Sequence, residues 1–276
     1  MNQSYHHPFH ERYSQNEIIN KSLMQKLVEQ SGIERGDLVY DIGAGNGNIT
    51  VALLNKGARV VAIEKDERLY LKLEKRFSAE KNVKICHADF LDMELPSDTA
   101  YKVFANIPFF HTAEIIKKLL FDKAPPADCY LAVQKESAEK YAGIPDDTLV
   151  SLLIKPRFWV DILYHFRQTD FFPPPSVDIV LMQFERRKFP LVPEPYYELY
   201  RDFVLSCRER TDRTVKRVMK EYFTFSQIKR IFRLLRIGYH SRPAELDFRQ
   251  YLGLFQFYLG ECSRSSNRNK KRVSNK

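Results

Sequence analysis

No stretch of the chain approaches the roughly 18 unbroken apolar residues of a membrane span, and residues 1–20 lack an apolar core of signal-peptide length. A soluble, cytoplasmic protein is expected. Cysteine is sparse. Cys86, Cys129, Cys207 and Cys262 stand far apart with no Cys-x-x-Cys pair, which argues against a zinc or redox site and for reduced structural thiols. His6, His7 and His10 sit close together in a polar lead-in that reads better as a flexible leader than as a chelator, so no metal is assigned. Acidic residues are scarce toward the C-terminus: residues 201–242 hold twelve Lys/Arg against four Asp/Glu, and 263–276 hold six against none. The net charge is +9, so the rest of the chain is net acidic, and this asymmetry favours a polyanionic partner over a merely solvated surface.

With 276 residues, 44% of them hydrophobic, the chain can bury one substantial core and a small second domain. From residue 38, short apolar runs alternate with helical periodicity, the pattern of a mostly parallel sheet covered by helices. Strands are predicted at 38–42, 59–64, 83–87, 101–105, 130–134, 158–166 and 178–184. A helix is predicted at 112–121, where Ile115, Ile116, Leu119 and Leu120 mark one side. Three prolines within residues 190–195 suit neither a helix nor a central strand and place a boundary there. The expected organisation is an α/β domain over 1–187, a basic helical domain over 188–262 and a disordered basic tail over 263–276. Helices are predicted at 196–219, 226–235 and 244–259. Arg208, Arg210, Arg213, Lys216 and Arg217 spread positive charge along the first of these, as RNA-binding candidates or as a plain solvated face.

In open sheets of this kind ligands sit at the carboxyl ends of the strands, where the chemically suggestive residues fall. Gly43-Ala44-Gly45-Asn46-Gly47 follows the first strand directly, and glycine there lets a ligand approach the backbone. A dinucleotide site would place its third glycine at 48, where Asn stands; the third is Gly47, which favours S-adenosylmethionine over a nicotinamide dinucleotide. Glu64 ends the second strand about twenty residues on, where a carboxylate accepts hydrogen bonds from ribose hydroxyls. After the third strand, Asp89 is placed to accept from an adenine amino group and Phe90 to pack near the ring, the alternatives being a loop cap and a core filler.

Asn106-Ile107-Pro108-Phe109 follows the fourth strand. An exocyclic amine on adenine is a poor nucleophile because its lone pair is delocalised into the ring. The Asn106 side-chain oxygen and the Ile107 carbonyl can accept its two hydrogens and draw the nitrogen toward a tetrahedral geometry, so that catalysis rests on orientation and electrostatics. Pro108 stiffens the turn, and Phe109 offers a stacking face to a base turned out of its helix. The competing reading is a strand-ending turn with a buried Phe.

These residues resemble the ribosomal RNA adenine N6-dimethyltransferases, and within them the Erm enzymes that act on 23S rRNA. The likeness covers roughly residues 13–185 well and the basic end loosely. Ser14-Gln15-Asn16 is similar to the family's Gln-Asn-Phe segment, Asp41 to Gly45 to its glycine loop, Ala62-Ile63-Glu64 to its ribose acid, Ala88-Asp89-Phe90 to its adenine contact, and Asn106 to Phe109 to its catalytic turn. Phe171 to Val177 resembles the Phe-x-Pro-x-Pro-x-Val stretch before the last strand. The resemblance implies a Rossmann-like seven-stranded class I methyltransferase domain with a small C-terminal helical domain. It also implies cofactor contacts at Asn16, Ile18, Gly43, Gly45, Glu64, Asp89, Phe90 and Asn106, and a base held between Phe109 and Phe171, where a plain core role for Phe171 is equally open. Two residues depart from the pattern: Glu17 stands for the usual Phe after Gln-Asn, and Phe109 for the usual Tyr. Asn-Ile-Pro is more typical of Erm enzymes than of the 16S dimethyltransferases, which generally show Asn-Leu-Pro-Tyr. The implied function is methylation of an adenine in the peptidyl-transferase loop of 23S rRNA, by a monomer acting before subunit assembly, with macrolide, lincosamide and streptogramin B resistance. The alternatives are 16S dimethylation, a non-catalytic nucleic-acid-binding factor of the same fold, and methylation of a protein glutamine.

Overall fold

The computed structural model describes residues 16–273, with side chains through 260. The described chain divides into two compact units, one of residues 16–138 and 159–186, the other of residues 139–158 and 187 onward.

The first unit carries β1 (Glu17–Ile18), α1 (Lys21–Gln30), β2 (Leu38–Ile42), α2 (Asn48–Asn55), β3 (Arg59–Glu64), α3 (Glu67–Arg76), β4 (Val83–His87), β5 (Lys102–Asn106), α4 (Thr112–Phe121) and β6 (Asp128–Gln134). After α5 (Lys135–Ala142) and α6 (Leu149–Ile154), β7 (Phe158–His165), β8 (Phe171–Phe172) and β9 (Ile179–Arg186) complete it. Seven strands form one sheet in the order β4-β3-β2-β5-β6-β9-β7. The first five run parallel, whereas β9 pairs antiparallel with β6 from Asp128↔Glu185 to Gln134↔Ile179. The inner strands are apolar on both faces, as sheets covered on two sides require, with Val39, Ile42, Val103, Phe104, Leu131 and Val133 buried. From β2 the chain winds outward through β3 and β4, then returns to β5 on the other side of β2. The carboxyl ends of β2 and β5 therefore flank the topological switch point, where such sheets open a crevice. Strand β1 lies outside this sheet and pairs antiparallel with β8.

The second unit is helical: α6, α7 (Tyr197–Arg208), α8 (Val215–Met219), α9 (Phe225–Leu235) and α10 (Phe248–Val273). They enclose a core of Tyr200, Phe203, Val204, Val218, Phe232, Tyr251 and Phe255, all buried. Three features differ from the sequence reading. Residues 139–158 belong here rather than to the first domain, because Asp147 is pinned to this unit. Its carboxylate accepts from Lys155 Nζ at 2.5 Å and from the Phe248 backbone N–H at 2.7 Å, and its carbonyl accepts from Arg208 at 3.0 Å. The helix predicted over 196–219 breaks into α7 and α8, since the Thr214 side chain caps a new helix and Glu221 draws Arg210 and Arg213 to itself across the turn. The end read as a disordered tail from 263 has helical backbone to Val273.

Candidate active site

The glycine loop and the Asn106 turn, sixty residues apart in sequence, meet at the switch point. Gly43, Gly45 and Gly47 all have positive φ (70°, 57° and 80°), a conformation that L side chains resist. At Gly43 a Cβ would stand 3.9 Å from Pro108 Cδ and 4.0 Å from the Asn106 carbonyl oxygen, so the loop faces the turn directly. Gly47 serves packing instead, because a Cβ there would come within 2.8 Å of Leu73 and Phe77. Glu64, buried at the end of β3, accepts from the Gly45 N–H at 2.9 Å and from the Asp66 N–H at 2.9 Å, so each carboxylate oxygen keeps a lone pair for a further donor. Near the end of β2, Asp41 is fully buried: Oδ2 accepts from Thr50 Oγ1 at 2.6 Å, and Oδ1 has no hydrogen-bond partner among the described residues. Burial, aided by the neighbouring charge of Glu64, pushes the Asp41 pKa up to about 7.

Asn106 donates its side-chain Nδ2 to the Asn16 backbone carbonyl at 2.7 Å. Only the amide nitrogen can donate to a carbonyl, so this bond turns Oδ1, an acceptor, the other way. Phe109 begins a 3₁₀ turn (Phe109–His111) and packs half-buried against the core, while its neighbour Phe110 is 71% exposed. Asn16 Nδ2 donates to Pro173 O at 2.7 Å, and Ile18 is buried opposite Phe171 in the β1–β8 pair.

Three expected ligand contacts are core or capping groups. Phe171 is 2% exposed and packs edge-on to Phe166 with ring centroids 5.3 Å apart, so it presents no free face to a base. Strand alternation turns Phe172 outward instead, 69% exposed. Phe90 is likewise buried in the core, with Lys118 Nζ 5.5 Å from its ring centroid. Asp89 accepts from the Leu91 N–H at 2.9 Å, capping a short turn, and pairs with Lys65 at 3.0 Å. Burial pushes its pKa up, but the Leu91 N–H and the Lys65 ammonium outweigh this and hold it below the ordinary carboxylate value. The sequence reading missed Phe110 and Phe172. For Phe172 a Phe-Phe doublet in an extended segment is the available signal, because one ring of such a pair faces out; Phe110 lies in a 3₁₀ turn, where that alternation does not apply. Among the described residues no His/Cys/Asp/Glu cluster is arranged to hold a metal, and no helix is long and apolar enough to cross a membrane. Ser14, Gln15, His6, His7 and His10 lie outside the described residues.

Residues 6–258 match the family of ribosomal RNA adenine dimethylases. The chain belongs to that family. It is 27% identical over 248 residues to an rRNA adenine N-6-methyltransferase of Escherichia coli, covering 90% of this chain and 96% of that one. It is 30% identical over 254 residues to the ribosomal RNA small subunit methyltransferase A of Malacoplasma penetrans, covering 90% and 91%. The fold is shared with the crystal structures of the 23S rRNA methyltransferase ErmE (TM-score 0.80, 23% identity, 87% and 98% covered) and of a dimethyladenosine transferase from Plasmodium falciparum (0.70, 22%, 87% and 96%). The chain is thus an rRNA adenine N6-methyltransferase by family, and the family's methyl donor is S-adenosylmethionine. The residues present suit that donor: positive-φ glycines open the backbone to it, Glu64 has lone pairs left for hydroxyls, and Asp41 leaves a buried oxygen without a partner among the described residues just before the glycine loop.

In the second unit of this family member, the basic residues singled out from sequence do not form one open face. Arg208 donates to Pro243 O and Asp147 O at 3.2 and 3.0 Å, and Arg210 and Arg213 pair with Glu221. Lys216 lies over Tyr239 and Phe225, 4.5 and 5.5 Å from their ring centroids, and Arg217 is exposed. A different set is open. Helix α9 buries Ile228, Ile231 and Phe232, which turns Lys229, Arg230 and Arg233 out to solvent beside the exposed Arg236. No acidic residue occurs between Glu221 and Glu245.

Proposed function

We propose that this enzyme methylates N6 of one adenine in the peptidyl-transferase loop of 23S rRNA and thereby confers resistance to macrolides, lincosamides and streptogramin B. The observation that carries the catalytic part is the Asn106–Asn16 hydrogen bond, which leaves Asn106 Oδ1 to accept one amine hydrogen while the Ile107 carbonyl accepts the other. With both hydrogens held, the nitrogen lone pair is aimed toward the glycine loop, whose Gly43 faces the Asn106–Pro108 turn. S-adenosylmethionine, when bound, supplies an electrophilic methyl group there. Glu64, with lone pairs left on both oxygens, would accept from its ribose hydroxyls, and donor contacts at Asn16, Ile18, Gly43, Gly45 and Asp89 rest on the family resemblance. Phe109 and the exposed rings of Phe110 and Phe172 offer stacking faces for an unstacked base, each base–aromatic contact being worth roughly 1–3 kcal/mol. The 23S target is supported by the Asn-Ile-Pro triplet and by the likeness to Erm enzymes. A 16S target is the second reading, favoured by the 30% identical small-subunit methyltransferase.

Transfer of labelled methyl to protein-free 23S rRNA and to 30S subunits in parallel, with the modified nucleotide mapped, tests this. Label at a peptidyl-transferase adenine is expected, and label in 16S rRNA would move the enzyme to the second reading.

The basic surface of α9 yields a separate expectation. Converting Lys229, Arg230 and Arg233 together to Gln should flatten the dependence of log K on log salt by about 2–3, roughly 0.7–0.9 for each phosphate no longer neutralised. Neutralising Arg208, Arg210 and Arg213 should instead lower the melting temperature, because those side chains hold Asp147, Pro243 and Glu221. Filter binding over a salt series and thermal melts measure the two; an unchanged slope in the α9 variant would count against this face.

A further inference from the structure

Residue 17 departs from the family pattern, and both oxygens of its carboxylate accept hydrogen bonds. Glu17 accepts from the Asn46 side-chain amide through one oxygen and from Asn48 Nδ2 at 2.9 Å through the other. Asn48 Nδ2 also donates to the Ile18 carbonyl at 3.0 Å, and Lys72 Nζ donates to Asn46 Oδ1 at 2.8 Å, which orients the Asn46 amide with its nitrogen toward Glu17. One residue earlier, the Asn16 carbonyl takes the Asn106 amide, and the Asn16 side chain holds Pro173 O. β1 is two residues long and, among the described residues, pairs with β8 alone, and Asn16 immediately precedes it, so Asn16 and Glu17 form one short strap. That strap ties the donor loop on one side to the acceptor amide on the other. A phenylalanine at 17 packs but accepts no hydrogen bond from the loop.

We propose that Glu17 is a positioning residue that couples the 46–48 end of the donor loop to the orientation of Asn106. A loop movement transmitted through Asn46 and Asn48 shifts Glu17, and with it the Asn16 carbonyl that selects which end of the Asn106 amide faces the acceptor base. Donor binding and acceptor alignment are then one event rather than two. This rests on the reading of Asn106 as the acceptor-binding amide.

The test compares Glu17→Ala, Glu17→Gln and Asn48→Ala in the full chain. In the donor-free protein, Glu17→Ala is expected to move and broaden the Asn106 side-chain amide resonances, with Glu17→Gln, which keeps one acceptor oxygen, giving a smaller change. Calorimetric titration with S-adenosylhomocysteine should show affinity about tenfold lower for Glu17→Ala. In turnover, kcat should fall along with the rise in donor KM, and Glu17→Gln should recover part of both. Glu17→Ala combined with Asn48→Ala should cost little more than either alone, because both remove the same link. Unmoved Asn106 resonances would overturn the proposal, as would a fall in melting temperature with unchanged donor affinity and kcat per folded molecule. If Asn106→Ala retains full turnover while Glu17→Ala still moves the Asn106 amide and weakens donor binding, the coupling stands and the catalytic reading of Asn106 fails.

Discussion

Asn106→Ala is expected to lower kcat for methyl transfer by about 10²–10³-fold, with binding of S-adenosylhomocysteine weakened but measurable. The loss comes from the acceptor side. Without Oδ1 one hydrogen of the amine is unheld, and the nitrogen keeps the planar, delocalised geometry that makes it a poor nucleophile. Asn106→Asp sharpens the expectation: it keeps oxygen acceptors but loses the Nδ2 donor, so a carboxylate would face the Asn16 carbonyl now 2.7 Å from the amide nitrogen. Two acceptors repel there, and the side chain is expected to rotate away, leaving the aspartate variant nearly as slow as the alanine one. Single-turnover kinetics with labelled donor, read beside calorimetric donor binding, separate the chemical step from the affinity. Turnover at the parent rate in Asn106→Ala would remove this residue from the mechanism.

Asp41→Asn is expected to make the donor-free protein more stable above neutral pH. The Asp41 pKa rises from 3.8 to about 7 on folding, mainly through burial, so between these values the native state binds a proton that the unfolded state has released. Stability conferred by this group is therefore fully present below about pH 4, declines as pH rises toward 7, and is level above it. The fall is on the order of 4 kcal/mol, at 1.36 kcal/mol per pKa unit. Asparagine keeps an oxygen for Thr50 Oγ1 and carries no charge to ionise, so its contribution should not vary with pH. Denaturant unfolding of both proteins at pH 5 and pH 8 measures this: the parent should lose stability between the two relative to the variant, and parallel curves would sink the assignment. The same substitution should weaken donor binding, because a buried carboxylate near the glycine loop favours a cationic ligand there.

The glycine loop, Glu64 and the Asn106 turn could be read from sequence because each follows a strand whose apolar run is unmistakable. In a parallel sheet the residue after a strand lies at the ligand-binding edge whatever its neighbours are. Asn106 itself proved to be the last residue of β5 rather than the first of a turn, a one-residue difference that leaves it at the same edge. Phe90 and Phe171 were harder to place, since motif position says which loop a ring belongs to but not whether it points into the core or out to a ligand. That choice depends on what packs beneath. Phe166 and the β1–β8 pairing put Phe171 inside and leave Phe172 to face solvent. The arginines of α7 and the turn after it failed for a related reason: local charge density does not reveal that Glu221 and the carbonyls of Asp147 and Pro243 absorb three of them.

By itself the sequence determined the fold class, most of the strands, the places of the glycine loop and of the Asn106 stretch at strand ends, and the basic C-terminal bias, all of which rest on local periodicity, glycine conformation and composition. The tertiary structure decided that β9 returns antiparallel, that residues 139–158 join the helical unit, and which aromatic rings and cations remain open. It also decided that Glu17, an apparent mismatch to its family, grips the donor loop. These are contacts between residues distant in sequence, set by which side chains compete for the same buried space and the same hydrogen bonds, and no local pattern encodes the outcome of that competition.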